Sequence, residues 1–246
     1  MSMKSDHFKG KDVYEHLKDA REKGAKATQE THGTEAPGHI IAATDSVKET
    51  AIALLGFWIL LSAFQTASPI SIMFIFSIGW ILWKGGRSAL LGWERLERLH
   101  RLIEEERYEI EHHRAQEKKE LRAMYEQKGF SGDLLDQVVE VLMADDNRLL
   151  RVMLEEELGL TLESFEHPLK QAVGAAIGAL IAGVGALAGA FIGGTWGVLI
   201  AVLILFSAAT LTASKKEGNA LIKSLIWNLA VGILAVGTLY FISQTG

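Results

Sequence analysis

Cysteine is absent from the 246 residues, which excludes disulfide frameworks, thiolate zinc sites, iron–sulfur ligation and cysteine nucleophiles together. Any metal bound by this chain must therefore use oxygen, imidazole or thioether donors. Proline is scarce as well. Pro37, Pro69 and Pro168 are the whole complement, and each falls just before or at the start of an apolar run, where a missing N–H costs little. The first 39 residues lack the apolar stretch of a signal peptide and carry seven Lys and Arg, so no cleavage is expected. A nucleophile triad, a phosphate-binding loop and a dinucleotide fingerprint are also missing, and the chain is not expected to be an enzyme. A net charge of −5 gives no reason to expect nucleic acid as a partner.

What the chain has in quantity is apolar sequence gathered into blocks. A bilayer core of ~30 Å needs about 20 mostly apolar residues in helical form. Five runs meet or approach that: Ile40 to Thr66, Pro69 to Trp83 with a tail to Trp93, Pro168 to Ile192, Trp196 to Ala213, and Leu221 to Ile242. Of the 25 Lys and Arg, eight lie in residues 1–48, fourteen between Lys84 and Lys170, and three at Lys215, Lys216 and Lys223. Five crossings place all of them on one face, the cytoplasmic one by the positive-inside rule. The expected fold is therefore all-α and polytopic, with the amino terminus inside and the carboxyl terminus on the opposite side. It reads as a polar cytoplasmic segment (1–39), spans one and two (40–93), a cytoplasmic helical domain (94–167) and spans three to five (168–246).

The segment from Glu94 to His167 is too long and too charged to be a connector. Glu94 to Gln127 has no Gly or Pro and is rich in Glu, Arg and Leu, so it predicts one helix, continuous with the second span. Gly129 ends it. Ser131 suits the cap of a second helix running to Met143, and Asp145 or Asp146 the cap of a third that ends at Gly159.

At 100° per residue, Glu106, Glu109, His113, Glu117 and Glu120 fall within an arc of about 80° on that first helix. Like charges spaced at i, i+3 and i+4 repel by a few tenths of a kcal/mol per pair, on the order of magnitude measured in peptides, and need solvent or a cation opposite them. Two readings follow from spacing alone: a solvated face, with Arg107, Arg114, Lys118 and Lys119 interspersed, or a site for Fe²⁺, Mn²⁺ or Zn²⁺, to which carboxylate and imidazole are suited. Met153 and Glu157 lie one turn apart on the third helix, where Met153 suits either core packing or a soft donor. In the spans, Asp45 and Glu49 share a face near the cytoplasmic end, and Gly174, Gly178, Gly185, Gly189 and Gly193 suit close helix packing, within one chain or across a dimer.

The run Glu117-x-x-Glu120-Leu121-x-x-Met124-Tyr125-x-x-Lys128-Gly129 is followed by Met153-x-x-Glu156-Glu157-Leu158-Gly159-Leu160 and then by Pro168 opening a span. This order resembles the vacuolar iron transporter family, which moves iron and manganese; the resemblance extends from about Ile40 to the end. It implies that Glu106, Glu109, Glu117, Glu120, Met153 and Glu157 line a cytoplasmic metal-binding domain, and that Asp45 is a pore aspartate of the first span. It also implies a homodimer in the lipid bilayer, with a pore between subunits and proton-coupled export of divalent metal from the cytosol. The membrane would be a bacterial inner membrane or that of an organelle. Three features depart from the family's pattern. Ser46 replaces a glycine, Ile78 stands where a methionine is expected with Lys84 following, and the proline between the two glutamate pairs is missing, which predicts one unbroken helix. A membrane-anchored metal-binding or sensing protein without transport is the alternative.

Overall fold

The computed structural model describes residues 12–28, 38–160 and 167–244, and every regular element among them is helical. Pro37 and residues 1–11 and 29–37 of the polar amino-terminal segment lie outside the described residues. The chain divides into two compact units, Met1–Gly33 with Glu94–Phe165, and Thr34–Trp93 with Glu166–Gly246.

The charged unit contains α1 (Val13–Thr28), the last turns of α3 (Pro69–His112), α4 (Arg114–Gln127), α5 (Gly132–Met143), α6 (Asp146–Val152) and a π-helical stretch, Met153–Glu157. Its helix ends follow local chemistry. The Asp145 carboxylate accepts from the Arg148 backbone N–H at 2.8 Å, capping α6. Gly129 and Gly159 adopt positive φ of 94° and 65° just beyond helix ends, where a side chain would be strained. Ser131 sits at the start of α5, but its hydroxyl makes no capping bond. On α1, Val13, Leu17 and Ala20 recur at helical spacing. Leu17 is buried with Ile110, Leu121, Met124 and Met153, and Ala20 with Leu99, Leu102 and Leu154.

The apolar unit contains α2 (Gly38–Ala63), the first part of α3, α7 (Pro168–Lys216) and α8 (Leu221–Ser243). By length and composition, α2, α3, α7 and α8 are each able to cross a membrane. Half of the apolar window of α2 is buried inside the unit against 6% for α8, so α2 is the central helix and α8 presents its apolar surface outward, as lipid requires. Ala51 and Leu54 of α2 pack with Met73 of α3 and with Ala182, Ala186, Val198 and Val202 of α7. A Cβ on Gly174 or Gly178 would overlap the carbonyl oxygen of His39 or Ala43, so these glycines serve packing within the chain.

α7 is not straight. Gly193 (φ −137°, ψ 15°) and Gly194 (φ 55°, ψ −133°) leave helical geometry, the second of them in a region open mainly to glycine. On a straight helix Gly189 and Gly197 would stand about 12 Å apart, yet a Cβ on either would overlap the other's carbonyl oxygen. The chain therefore reverses here into two antiparallel arms, 168–192 and 195–216. Trp58 of α2 donates from Nε1 to Thr195 Oγ1 at 3.2 Å, at the start of the second arm.

Candidate metal centre

Among its described residues the charged unit buries four carboxylates. Glu106 lies on α3, Glu117 and Glu120 on α4, and Glu157 at the end of the π-helical stretch; their exposures are 4%, 0%, 0% and 2%. Groups of this kind are seldom buried in proteins, so their coincidence in one small unit needs a cause.

The backbone at His113 brings them together. Its φ of −123° and ψ of 27° interrupt the helix between α3 and α4, which corrects the expectation of one unbroken helix from Glu94 to Gln127. On such a helix Glu106 and Glu117 would be about 16 Å apart along the axis. Instead, one oxygen each of Glu106, Glu117 and Glu157 lies within 4.8 Å of the others. No glycine or proline marks the break; the chain turns where doing so lets Ile110 and Leu121 enter one apolar cluster. Arg114, the first residue of α4, fixes the new direction by donating to Asp146 Oδ1 at 2.5 Å and to the Met143 carbonyl at 2.6 Å.

A second group overlaps the first. His16 of α1, Glu120 and Glu157 also place one donor atom each within 4.8 Å of one another. His16 Nε2 stands 3.9 Å from Glu120 Oε1 and 3.8 Å from Glu157 Oε1. Glu157 belongs to both groups, and it sits in a π-helical stretch, a form that recurs at functional sites because its extra residue re-aims neighbouring side chains. Sequence reasoning missed His16. The one available signal was its place beside Leu17 on an apolar stripe, a pattern that ordinary core packing also produces.

The other expected residues fall elsewhere. Glu109 is partly exposed and belongs to neither converging group. Met153 is wholly buried in the apolar cluster with Leu121, Met124 and Leu149. Asp45 is in the apolar unit, where Lys48 Nζ approaches its Oδ1 to 2.6 Å. There too, Lys84 of α3 is ion-paired with Glu49 of α2.

Electrostatics explain what the buried cluster can do. Carboxylate oxygens here lie within 4.8 Å of one another; two ionised carboxylates at ~5 Å repel by about 3 kcal/mol at an effective dielectric near 20, and burial adds a desolvation cost to each charge. A divalent cation among them reverses both effects. Among the described residues, Arg122 pairs with Asp136 and Lys128 with Glu156, while Lys118 and Lys119 are exposed. Burial raises the pKa of the Tyr125 phenol, an effect opposed by Lys128 and reinforced by Glu156. It therefore stays a neutral hydroxyl and adds no negative charge at neutral pH.

Among known proteins, the family model described as the VIT family matches residues 94–244. No curated protein matches the chain.

Proposed function

The chain belongs to the VIT family, the vacuolar iron transporters, and from that premise we propose that it is an integral membrane transporter that exports Fe²⁺ or Mn²⁺ from the cytosol. In this reading the charged unit is cytoplasmic and collects the ion, and the apolar unit, working as a homodimer, carries it in exchange for protons. Five crossings are proposed, α7 contributing two through its arms 168–192 and 195–216, because that number keeps every Lys and Arg on one face. The observation that carries the reading is the pair of converging groups that share Glu157. Carboxylates with one imidazole suit Fe²⁺, Mn²⁺ and Zn²⁺, whereas Mg²⁺ usually keeps most of its water.

The test is ion flux into liposomes containing the full-length protein, followed with a metal-quenched fluorophore and an imposed proton gradient. Saturable Fe²⁺ or Mn²⁺ entry that collapses with the gradient is the expected result. A second reading, metal binding without transport, is favoured by one observation: Lys48 and Lys84 already pair with the two α2 acids, Asp45 and Glu49. Tight binding to the same preparation with no flux would select it.

A further inference from the structure

We infer that His16, on the amino-terminal helix, is a metal ligand that determines which ions the charged unit accepts. The inference rests on the metal-binding reading above and adds to it a nitrogen donor supplied by a segment outside the acidic helices.

The geometry points to coordination. His16 Nε2 lies 3.8 and 3.9 Å from oxygens of Glu157 and Glu120, too far for hydrogen bonds to them. Two donors each about 2.1 Å from one ion are at most about 4.2 Å apart, so these separations admit an ion between the ring and the two carboxylates. The imidazole is held in place and is not a surface group that happens to point inward. Its side chain is 15% exposed, and its neighbours on α1, Leu17 and Ala20, are buried in separate apolar clusters. Two apolar anchors thus fix the rotation of α1 about its axis and aim His16 at the acids.

The chemical consequence is selectivity. An all-carboxylate pocket is an oxygen site that Ca²⁺, Mg²⁺ and Mn²⁺ can share, while one imidazole favours Zn²⁺, Fe²⁺ and Co²⁺ over the hard cations. Glu157, common to both groups, then stands between an all-oxygen position with Glu106 and Glu117 and a mixed nitrogen–oxygen position with His16 and Glu120. A competing role is open to His16: as an imidazolium it would be an internal counter-ion, and removing it would free the carboxylates for metal. The two roles predict opposite signs.

Calorimetric titration of the full-length protein in detergent with Zn²⁺ and with Mn²⁺ separates them, using wild type, His16→Gln and His16→Ala. We expect both variants to lose about tenfold or more in Zn²⁺ affinity, at least what loss of a supporting group around a metal costs, with Mn²⁺ binding scarcely changed. Nitrogen hyperfine splitting in the electron paramagnetic resonance of the Cu²⁺-loaded protein should weaken in both. Zn²⁺ affinity that is unchanged or raised in His16→Gln, in protein whose helicity matches wild type, would overturn the role of His16 and leave the acidic site standing. Absence of any metal binding by the wild type would overturn the metal reading and this inference together.

Discussion

Glu117 and Glu120 illustrate how little a residue's type says before its surroundings are known. On an exposed helix they would be ordinary solvated acids; here both are wholly buried, and their behaviour should depend on the cation. A ligand at 100 times its Kd stabilises the state that binds it by about 2.7 kcal/mol. Wild-type protein should therefore melt at a higher temperature with Zn²⁺ than with chelator, while Glu117→Gln with Glu120→Gln should lose most of that difference and keep its helicity. Scanning fluorimetry with and without chelator measures it; an equal metal-induced shift in both proteins would return these acids to a merely structural role. Met153 poses the converse question. Its apolar surroundings account for its burial, so Met153→Leu, which nearly conserves volume, should cost under about 1.5 kcal/mol and leave Zn²⁺ affinity unchanged. Truncation to Ala should cost about 2–5 kcal/mol. A weaker Zn²⁺ site in the Leu variant would instead identify the thioether as a donor.

At the scale of the element, the informative features are the two interruptions. α7 is broken by Gly193 and Gly194 in conformations that glycine supplies readily, and the reversal agrees with the gap between the apolar runs ending at Ile192 and beginning at Trp196. The break at His113 has no such residue, and composition alone favoured a continuous helix. It is imposed by packing across the unit, which no local propensity reports. Contact between helices is equally specific in the apolar unit. Gly178→Ala should drive a methyl group into the Ala43 carbonyl and cost about 1–3 kcal/mol, as overpacking usually does, whereas Gly79→Ala, with nothing within 4 Å of the added methyl, should be harmless. Thermal unfolding in one detergent compares the pair, and equal stability would argue against the close approach of α2 and α7.

For the whole molecule the decisive quantity is flux, and two lysines bear on it. If the ion pairs of Lys84 with Glu49 and of Lys48 with Asp45 persist in the bilayer, the protein's own ammonium groups neutralise the acids that a passing cation would use. Attraction between opposite charges at ~4 Å is worth about 4 kcal/mol near a protein surface before desolvation is subtracted, enough to oppose entry of an ion. Lys84→Leu should then raise the initial rate of Fe²⁺ or Mn²⁺ entry into liposomes, and Ile78→Met should raise it further by adding a thioether. Asp45→Asn should abolish flux while leaving metal binding by the charged unit intact. Fast wild-type transport that Lys84→Leu does not alter would show that this ammonium does not restrain the acids.

By itself the sequence determined what depends on composition and local pattern: the apolar helices, the charged segment between them, a cap at Asp145 or Asp146, the glycine ends at Gly129 and Gly159, and Glu106, Glu117, Glu120 and Glu157 as candidate ligands. Hydropathy and capping act over a few residues, so they are legible in one dimension. Tertiary structure alone decided the break at His113, the meeting of Glu106 with Glu117 and Glu157, and the arrival of His16 from a helix more than a hundred residues from Glu120 and Glu157 along the chain. Those contacts are selected by which apolar faces fit together, and the energy that selects them belongs to the packed unit and to no single stretch of it.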